Sequence, residues 1–201
     1  TKGRDALLYD IDPQRTSTLW ASRRDENAIS PRVSSTQKVI DSKKIMNIGL
    51  VTRNDLKALI PKYEDIIIDA GGADTEALRA AMTLADKVVF PITASCFDMW
   101  TFSHLSNLVA SSQGRDSDLI GHILLNKVNT NPMTAKSDMS ECDEYLSDFG
   151  NLKRLDGVVS DRVSIRRASG LGMSISEYKP VDNKAISEFE TIFDEILNYE
   201  Q

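Results

Sequence analysis

The sequence predicts an α/β fold with a doubly wound, mostly parallel sheet and helices on both faces. The first observation is a series of short runs of β-branched and other apolar residues, typical of parallel strands that are buried on both faces. The second is that segments with apolar residues three and four positions apart, the pattern of one helix face, lie between these runs. Strand, crossover helix and strand in this order form right-handed β-α-β units. The main strand runs are 6–9, 66–68, 88–90 and 119–125.

Residues 63–98 form the clearest of these units. Its first strand ends on Asp69, and Gly71 and Gly72 follow directly in the loop. A carboxylate at this position can hold a magnesium ion or its bound water, and glycines allow phosphate oxygens to approach the backbone. Ligands of such sheets bind at the carboxyl ends of the strands. Strand-terminal aspartates are also common at turns and helix starts, so this pattern alone leaves a purely structural interpretation open.

The remaining elements follow from the same two periodicities. Helices are predicted at 52–60, 75–85, 99–111, 139–149 and 183–199, and short strands at 32–35 and 155–159. The charged residues Arg23, Arg24, Asp25 and Glu26 are predicted to form a solvated face. No repeat or linker divides the chain, so a single domain over residues 1–201 is predicted.

Composition limits the function further. The chain has 201 residues, 41% of them hydrophobic and 27% charged, as in an ordinary soluble globular protein. A net charge of −6 argues against a protein that coats nucleic acid with its whole surface, although a local basic patch remains possible. Cys96 and Cys142 have no metal-ligand spacing and predict a reducing compartment. With no membrane span or signal peptide visible in the sequence, a cytoplasmic location is expected.

Three linked motifs carry a family resemblance. The first is Asp10-Ile11-Asp12-Pro13-Gln14 with Trp20 shortly after it, the second is Ile68-Asp69-Ala70-Gly71, and the third is residues 85–91 with Ser95 and Asp98. Their order and spacing resemble those of the ParA/MinD group of deviant Walker P-loop ATPases, and above all the short plasmid-partition ATPases. The resemblance extends over most of the chain and implies a P-loop NTPase-like fold that uses ATP and Mg²⁺.

The resemblance also implies roles for the strand-end carboxylates. Asp12 falls in the first switch, where it is expected to act in catalysis by positioning the attacking water or a metal-bound water. Asp69 is expected to hold Mg²⁺ through water. Asp10 is expected to cap the end of its strand.

The nucleotide base is expected to bind near Asn126 and Lys127, with Tyr178 and Pro180 flanking it, again by resemblance. An amide at position 126 could read the purine edge by donating and accepting hydrogen bonds. The alternative is that Asn126 only caps the exit of its strand.

One family motif is missing. The glycine-rich loop K-G-G-x-G-K-T/S does not occur in the sequence, and Lys2-Gly3 is no substitute because it precedes a strand. We therefore expect that a strand, loop and helix of roughly 30 residues are absent from the N-terminus. The missing strand would be central, so its neighbours should show unpaired backbone groups and an apolar face. The chain as printed is expected to be unstable as a monomer and to hydrolyse no ATP.

A basic cluster stands out against the acidic chain. Arg162, Arg166 and Arg167 would share one face of a helix, and three arginines there could bind DNA phosphates without reading sequence. The resembled partition ATPases bind DNA nonspecifically through their C-terminal half. The alternative is an ordinary helix surface whose arginines pair with Asp161 and Glu177.

The function implied by the resemblance is ATP-dependent plasmid partition by a nucleoid-associated protein. ATP would close a homodimer, the dimer would bind DNA nonspecifically, and a centromere-bound, ParB-like adaptor would stimulate hydrolysis. A MinD-like ATPase on a membrane is disfavoured because residues 183–201 are acidic rather than basic. A non-catalytic scaffold without a phosphate loop is a rival from another class. A reductase relative is disfavoured because cluster-ligating cysteine spacing is lacking.

Overall fold

The computed structural model describes residues 3–38, 47–93, 95, 100–112 and 119–197. Cys96, Asp98, Met99 and Tyr199, which the sequence analysis used, lie outside these residues. The chain forms two compact units. The N-terminal unit comprises Thr1–Ala85 and Ser169–Met173, and the C-terminal unit comprises Asp86–Ala168 and Ser174–Gln201. That both belong to one domain stays a prediction.

The N-terminal unit contains a parallel sheet of three strands in the order β2-β1-β3. The strands are β1 (Ala6–Asp10), β2 (Ser34–Gln37) and β3 (Asp65–Asp69). The helices are α1 (Thr16–Glu26), α2 (Ile48–Leu59, followed by the 3-10 turn Ile60–Lys62) and α3 (Glu76–Met82). Thr75 caps α3 by accepting a hydrogen bond from Leu78 N, which explains why this helix begins later than predicted.

One face of this sheet carries the core of the N-terminal unit. Tyr9 and Ile11 pack there against Leu56 of α2 and against Ala77 and Ala81 of α3. Ile66 and Ile68 of β3 pack against the same cluster, whereas Ile67 is 54% exposed, because alternate residues of a strand face opposite sides. The prediction that β3 is buried on both faces is therefore wrong for the described residues.

The C-terminal unit is built around the long strand β5. The strands are β4 (Val88–Thr93), β5 (Gly121–Val128), β6 (Leu152–Arg154) and β7 (Val159–Ser160). The helices are α4 (Phe102–Ser112), α5 (Pro132–Leu146), α6 (Val163–Gly170) and α7 (Asn183–Leu197). β4 pairs with one edge of β5, while β6 and β7 pair with successive parts of the other edge, all in parallel.

Helices cover both faces of β5, which confirms the doubly wound α/β prediction. On one face, Leu124 packs against a cluster of Leu155, Val159 and Ile192, the last of which belongs to α7. Ile123 and Leu125, the neighbours of Leu124, point to the opposite face and have 0% exposure. Among the described residues, β3 pairs only with β1, and β4 only with β5. The absent central strand stays a prediction.

Three elements of the C-terminal unit have boundaries that differ from the prediction. The strand predicted at 155–159 is interrupted, because Asp156 N and Gly157 N donate to the Glu195 carboxylate of α7 at 2.6 and 2.9 Å rather than to β5. The helix that carries the basic cluster begins at Val163, so Arg162 lies just before it. The helix predicted from 139 already begins at Pro132, where Asn131 caps it.

Candidate active site

Asp10, the last residue of β1, fixes the start of α1. Its carboxylate is 1% exposed and accepts hydrogen bonds from Thr18 N at 2.9 Å, Thr18 Oγ1 at 2.7 Å and Asp12 N at 3.0 Å. Burial acts to raise the pKa of Asp10, but the hydrogen bonds from Thr18 and Asp12 outweigh it and hold the pKa below its ordinary value. Asp10 is thus an ionised cap of the first turn of α1, which gives it a structural role.

Asp12 lies in the loop between β1 and α1 and organises it. Asp12 Oδ1 accepts a hydrogen bond from Gln14 N at 2.8 Å, and its backbone carbonyl accepts one from Arg15 N at 3.0 Å. Arg15 completes the turn with a φ of 60°, in the left-handed region. Asp12 Oδ2 accepts no hydrogen bond from the part of the chain that the structure describes. One carboxylate oxygen therefore shapes the loop and the other is available to a ligand.

Asp69 lies beside this loop because β1 and β3 are parallel neighbours. Its Cα is in register with that of Asp10, and its carbonyl accepts a hydrogen bond from Ile11 N at 2.8 Å. Its carboxylate has neither a hydrogen bond nor an ion pair with any described residue. Gly71, two residues after Asp69, lies so close to Asp12 that a Cβ atom on it would be 3.0 Å from Asp12 Oδ1.

The available oxygens suit a magnesium ion. Mg²⁺ prefers hard oxygen ligands and usually keeps several waters, binding through one or two carboxylates. Asp12 and Asp69 match this requirement. Within the described ranges no group of three or more His, Cys, Asp or Glu side chains is arranged so that it could hold a metal ion, so a metal held by Asp12 and Asp69 would retain water ligands. A lysine-bearing, glycine-rich cradle for phosphates is not part of the sequence.

Asn126 lies near the carboxyl end of β5, between Thr93 of β4 and Val159 of β7. Its Oδ1 accepts a hydrogen bond from Lys127 N at 2.9 Å, and Lys127 adopts a φ of 55°. The capping interpretation thus accounts for the amide oxygen. The amide nitrogen has no partner among the described residues and can donate to a ligand.

Tyr178 and Pro180 line a different place, an open pocket of about 330 Å³ between α6 and the start of α7. Arg167 and Lys184 also line it, whereas Asn126 and Lys127 do not. That Tyr178 and Pro180 flank a base held near Asn126 and Lys127 stays a prediction. The structure brings Tyr178 and Pro180 together with one arginine of the basic cluster.

The three arginines of the basic cluster differ in their surroundings. Arg162, whose side chain is 18% exposed, donates to Glu188 Oε1 at 2.9 Å and lies 3.9 Å from Asp182. Arg166 pairs with Asp161, as the alternative interpretation expected. Arg167 has no ion pair among the described residues. The positive charge that is free to meet a ligand is thus concentrated on Arg167.

Two important residues were missed at the sequence level. Glu188 joins β7 to the basic cluster, because it also accepts hydrogen bonds from Ser160 N and Ser160 Oγ. Nothing distinguishes it in sequence from the other acidic residues of α7. Arg24 was assigned to a solvated face but is 3% exposed. The one available signal was Trp20, four residues earlier, over whose ring the Arg24 guanidinium lies at 5.7 Å.

Comparison with solved structures identifies the fold. A plasmid partition protein of Borrelia burgdorferi bound to AMPPNP has a TM-score of 0.73 at 17% identity, over 98% of this chain and 88% of that chain. McdA of Cyanthece has a TM-score of 0.68 at 16% identity, over 95% and 88%. This chain has the ParA/MinD fold. The fold also extends to MinD of Pyrococcus horikoshii with Mg-ADP, with a TM-score of 0.64 at 15% identity over 99% and 87%.

No protein-family model matches the chain, and no curated protein matches it in sequence. The predicted resemblance is thus confirmed as a ParA/MinD fold, at identities that establish the fold alone. Among the described residues, no helix is long and apolar enough to span a membrane.

Proposed function

We propose that this chain is the ATPase domain of a plasmid-partition protein. ATP closes a homodimer, the dimer binds DNA nonspecifically on the nucleoid in the cytoplasm, and a centromere-bound, ParB-like adaptor stimulates hydrolysis. The observation that carries the proposal is the meeting of Asp12, Asp69 and Gly71 at the carboxyl ends of β1 and β3, in a chain with the ParA/MinD fold.

The proposed roles follow from the contacts of each residue. Asp12 orients the attacking water with Oδ2, since Oδ1 is engaged by Gln14 N. Asp69 accepts hydrogen bonds from water bound to Mg²⁺. The metal, when bound, neutralises charge on the phosphates. Gly71 keeps the space beside Asp12 open. Phosphoryl transfer depends mainly on positioning and charge stabilisation. Two carboxylates and a glycine are therefore sufficient to position the water and the metal in this part of the site.

The DNA-binding surface is proposed to centre on Arg167. Lys184 lines the same pocket, while the remaining cationic side chains of the cluster, Arg162 and Arg166, have carboxylate partners. Phosphate contacts of this kind require only local positive charge, which is compatible with a net charge of −6. Tyr178 and Pro180 border this surface. The nucleotide base is proposed to bind near Asn126 and Lys127, with Tyr178 and Pro180 flanking it.

Phosphate release by the protein produced from its complete gene tests the proposal. We expect Mg²⁺-dependent ATP hydrolysis that falls at least about tenfold in Asp12→Ala, with ATP binding retained. Light scattering should detect a dimer with ATP but not with ADP. Binding to an unrelated DNA duplex should weaken steeply with salt. ATP binding without any hydrolysis, unchanged by Asp12→Ala, would contradict the proposal.

A non-catalytic scaffold is the second candidate, favoured by the lack of a K-G-G-x-G-K-T/S loop in the sequence. The 201 residues alone are expected to hydrolyse no ATP in either case. The two candidates differ in the complete gene product, which as a scaffold would bind its partners with no dependence on ATP. A membrane-bound, MinD-like role is disfavoured by the acidic residues of α7, among them Glu188, Glu190, Asp194 and Glu195.

A further inference from the structure

Arg24 connects α1 to the nearby Pro31 and to a segment 148 positions away in the sequence. Its Nε donates to the carbonyl of Pro31 at 2.8 Å, and its Nη1 donates to the carbonyl of Gly172 at 3.1 Å. The guanidinium also lies over the ring of Trp20 at 5.7 Å. A planar guanidinium can donate in several directions and stack at once, which an ammonium group cannot do. Through these contacts Arg24 holds Pro31 and Gly172 against α1, so its role is structural and not that of an exposed surface charge.

Gly172 brings the second segment into direct backbone contact with α1. It has a φ of +70°, and a Cβ atom on it would lie 2.3 Å from Arg24 N. No side chain fits in that space, so glycine is required there. Asn27, just after α1, donates from Nδ2 to the carbonyl of Leu171 at 2.9 Å. The C-terminal end of α1 is thus attached to residues 171 and 172.

The other end of α1 is attached to the candidate active site. Asp10 holds the first turn through Thr18, and the loop that carries Asp12 leads directly into the helix. α1 has 11 residues. At 1.5 Å per residue it is about 16 Å long. Because a helix of this length moves as a rigid rod, a displacement of the Asp12 loop should reach residues 171 and 172.

Residues 171 and 172 directly follow α6, the helix that carries Arg166 and Arg167. A shift of these residues would therefore act on the C-terminal end of α6 through the chain itself. We propose that Arg24 is a positioning residue that couples the Asp12 loop to the Arg167 surface through α1. This inference rests on the proposed function, because it links nucleotide binding to DNA binding.

The test measures coupling rather than activity. The dissociation constant for an unrelated DNA duplex is measured without nucleotide and with AMPPNP, on the complete gene product. The ratio of the two values defines the coupling. We expect Arg24→Lys and Gly172→Ala to reduce this ratio at least about tenfold, toward one, which corresponds to a coupling change typical of allosteric proteins. AMPPNP affinity in the absence of DNA should stay unchanged.

Two further variants separate coupling from folding. Gly170→Ala is the matched control for Gly172→Ala, since a Cβ atom on Gly170 meets nothing within 4 Å, and it should retain the wild-type ratio. Asn27→Ala removes one exposed hydrogen bond and should reduce the ratio partially while the protein stays folded. An unchanged ratio in Arg24→Lys, Gly172→Ala and Asn27→Ala would overturn the inference. If the DNA dissociation constant of the wild-type protein were the same with and without AMPPNP, the proposed function itself would be refuted.

Discussion

Asp12 and Gly71 are in such close contact that a Cβ atom at position 71 would push the carboxylate aside by a few tenths of an ångström. A Cβ atom at position 71 would lie 3.0 Å from Asp12 Oδ1 and 3.2 Å from its Cγ. Gly71 has no positive φ, so the restriction comes from this neighbour and not from backbone conformation. The two residues come from loops after different strands, and their contact joins the two halves of the candidate site.

Gly71→Ala should therefore lower ATP hydrolysis by displacing Asp12. We expect a fall in kcat of about tenfold to a hundredfold, since displacements of less than 1 Å are costly at sites that act by positioning. Gly72→Ala is the matched control, because a Cβ atom on Gly72 meets nothing within 4 Å. Steady-state phosphate release of both variants checks this. Equal activities in the two variants would exclude a role for the Asp12–Gly71 contact.

Asp10 should make stability depend on pH in the acidic range. Its pKa is lowered in the folded state because the hydrogen bonds from Thr18 and Asp12 outweigh burial, which acts to raise it. The stabilisation is then fully present above the unfolded-state pKa of about 3.9 and is lost as the pH falls through the lower folded-state value. Urea unfolding between pH 7 and pH 3 measures this.

Asp10→Asn should reduce the free energy of unfolding at pH 7 by about 1–3 kcal/mol and flatten its decline below pH 4. Asp148→Asn is a suitable control, because Asp148 is exposed and has no hydrogen bond or ion pair in the described part of the chain. If Asp10→Asn retained the acid dependence of the wild type, the titration of Asp10 would not be the source of that dependence.

The sequence was sufficient to predict the parallel strands and the carboxylates at their ends, because both depend on local patterns. Burial on two faces requires the unbroken apolar run of β5. In a parallel sheet all strands end on the same side, so the polar residues that end them lie together at the carboxyl ends of the strands. The exposed Ile67 is the exception, since an unbroken apolar run does not reveal whether other elements cover both faces of β3.

The long-range polar contacts could not be predicted, because their partners lie far apart in the sequence. Arg24 and Gly172 are separated by 148 positions, and Arg162 and Glu188 by 26. The residues next to each arginine in the sequence do not indicate whether its side chain is exposed or buried. The interrupted strand at 155–159 has the same origin, since Glu195 competes with β5 for its backbone N–H groups.

Asp69 should determine the magnesium requirement. Its carboxylate has no described partner, so it is free to accept hydrogen bonds from metal-bound water. Asp69→Asn should raise the Mg²⁺ concentration for half-maximal ATP hydrolysis about 10- to 100-fold, as for other groups that support a metal from outside its ligand shell. Asp65→Asn, at the opposite end of β3, loses only a surface ion pair with Arg4 and should match the wild type. Equal Mg²⁺ curves for the two variants would argue against the assignment.

Arg167, rather than Arg162, should provide the phosphate contact with DNA. Arg162 pairs with Glu188 and Asp182. If Arg162 moved away to bind DNA, the half-buried Glu188 carboxylate would lose its cationic partner, which is energetically costly. Arg167 has no such partner among the described residues, so its charge is available at no comparable cost.

The salt dependence of DNA binding distinguishes the two arginines. Each phosphate contact contributes about −0.9 to the slope of log K against log salt concentration. Arg167→Gln should therefore reduce the magnitude of this slope by about one and weaken binding equally for unrelated duplexes. Arg162→Gln should leave the slope intact and instead lower the unfolding temperature, because Glu188 and Asp182 lose their cationic partner. The reverse result, a slope reduced only by Arg162→Gln, would mean that DNA displaces Glu188 and that the ion pair is a competitor for the DNA site.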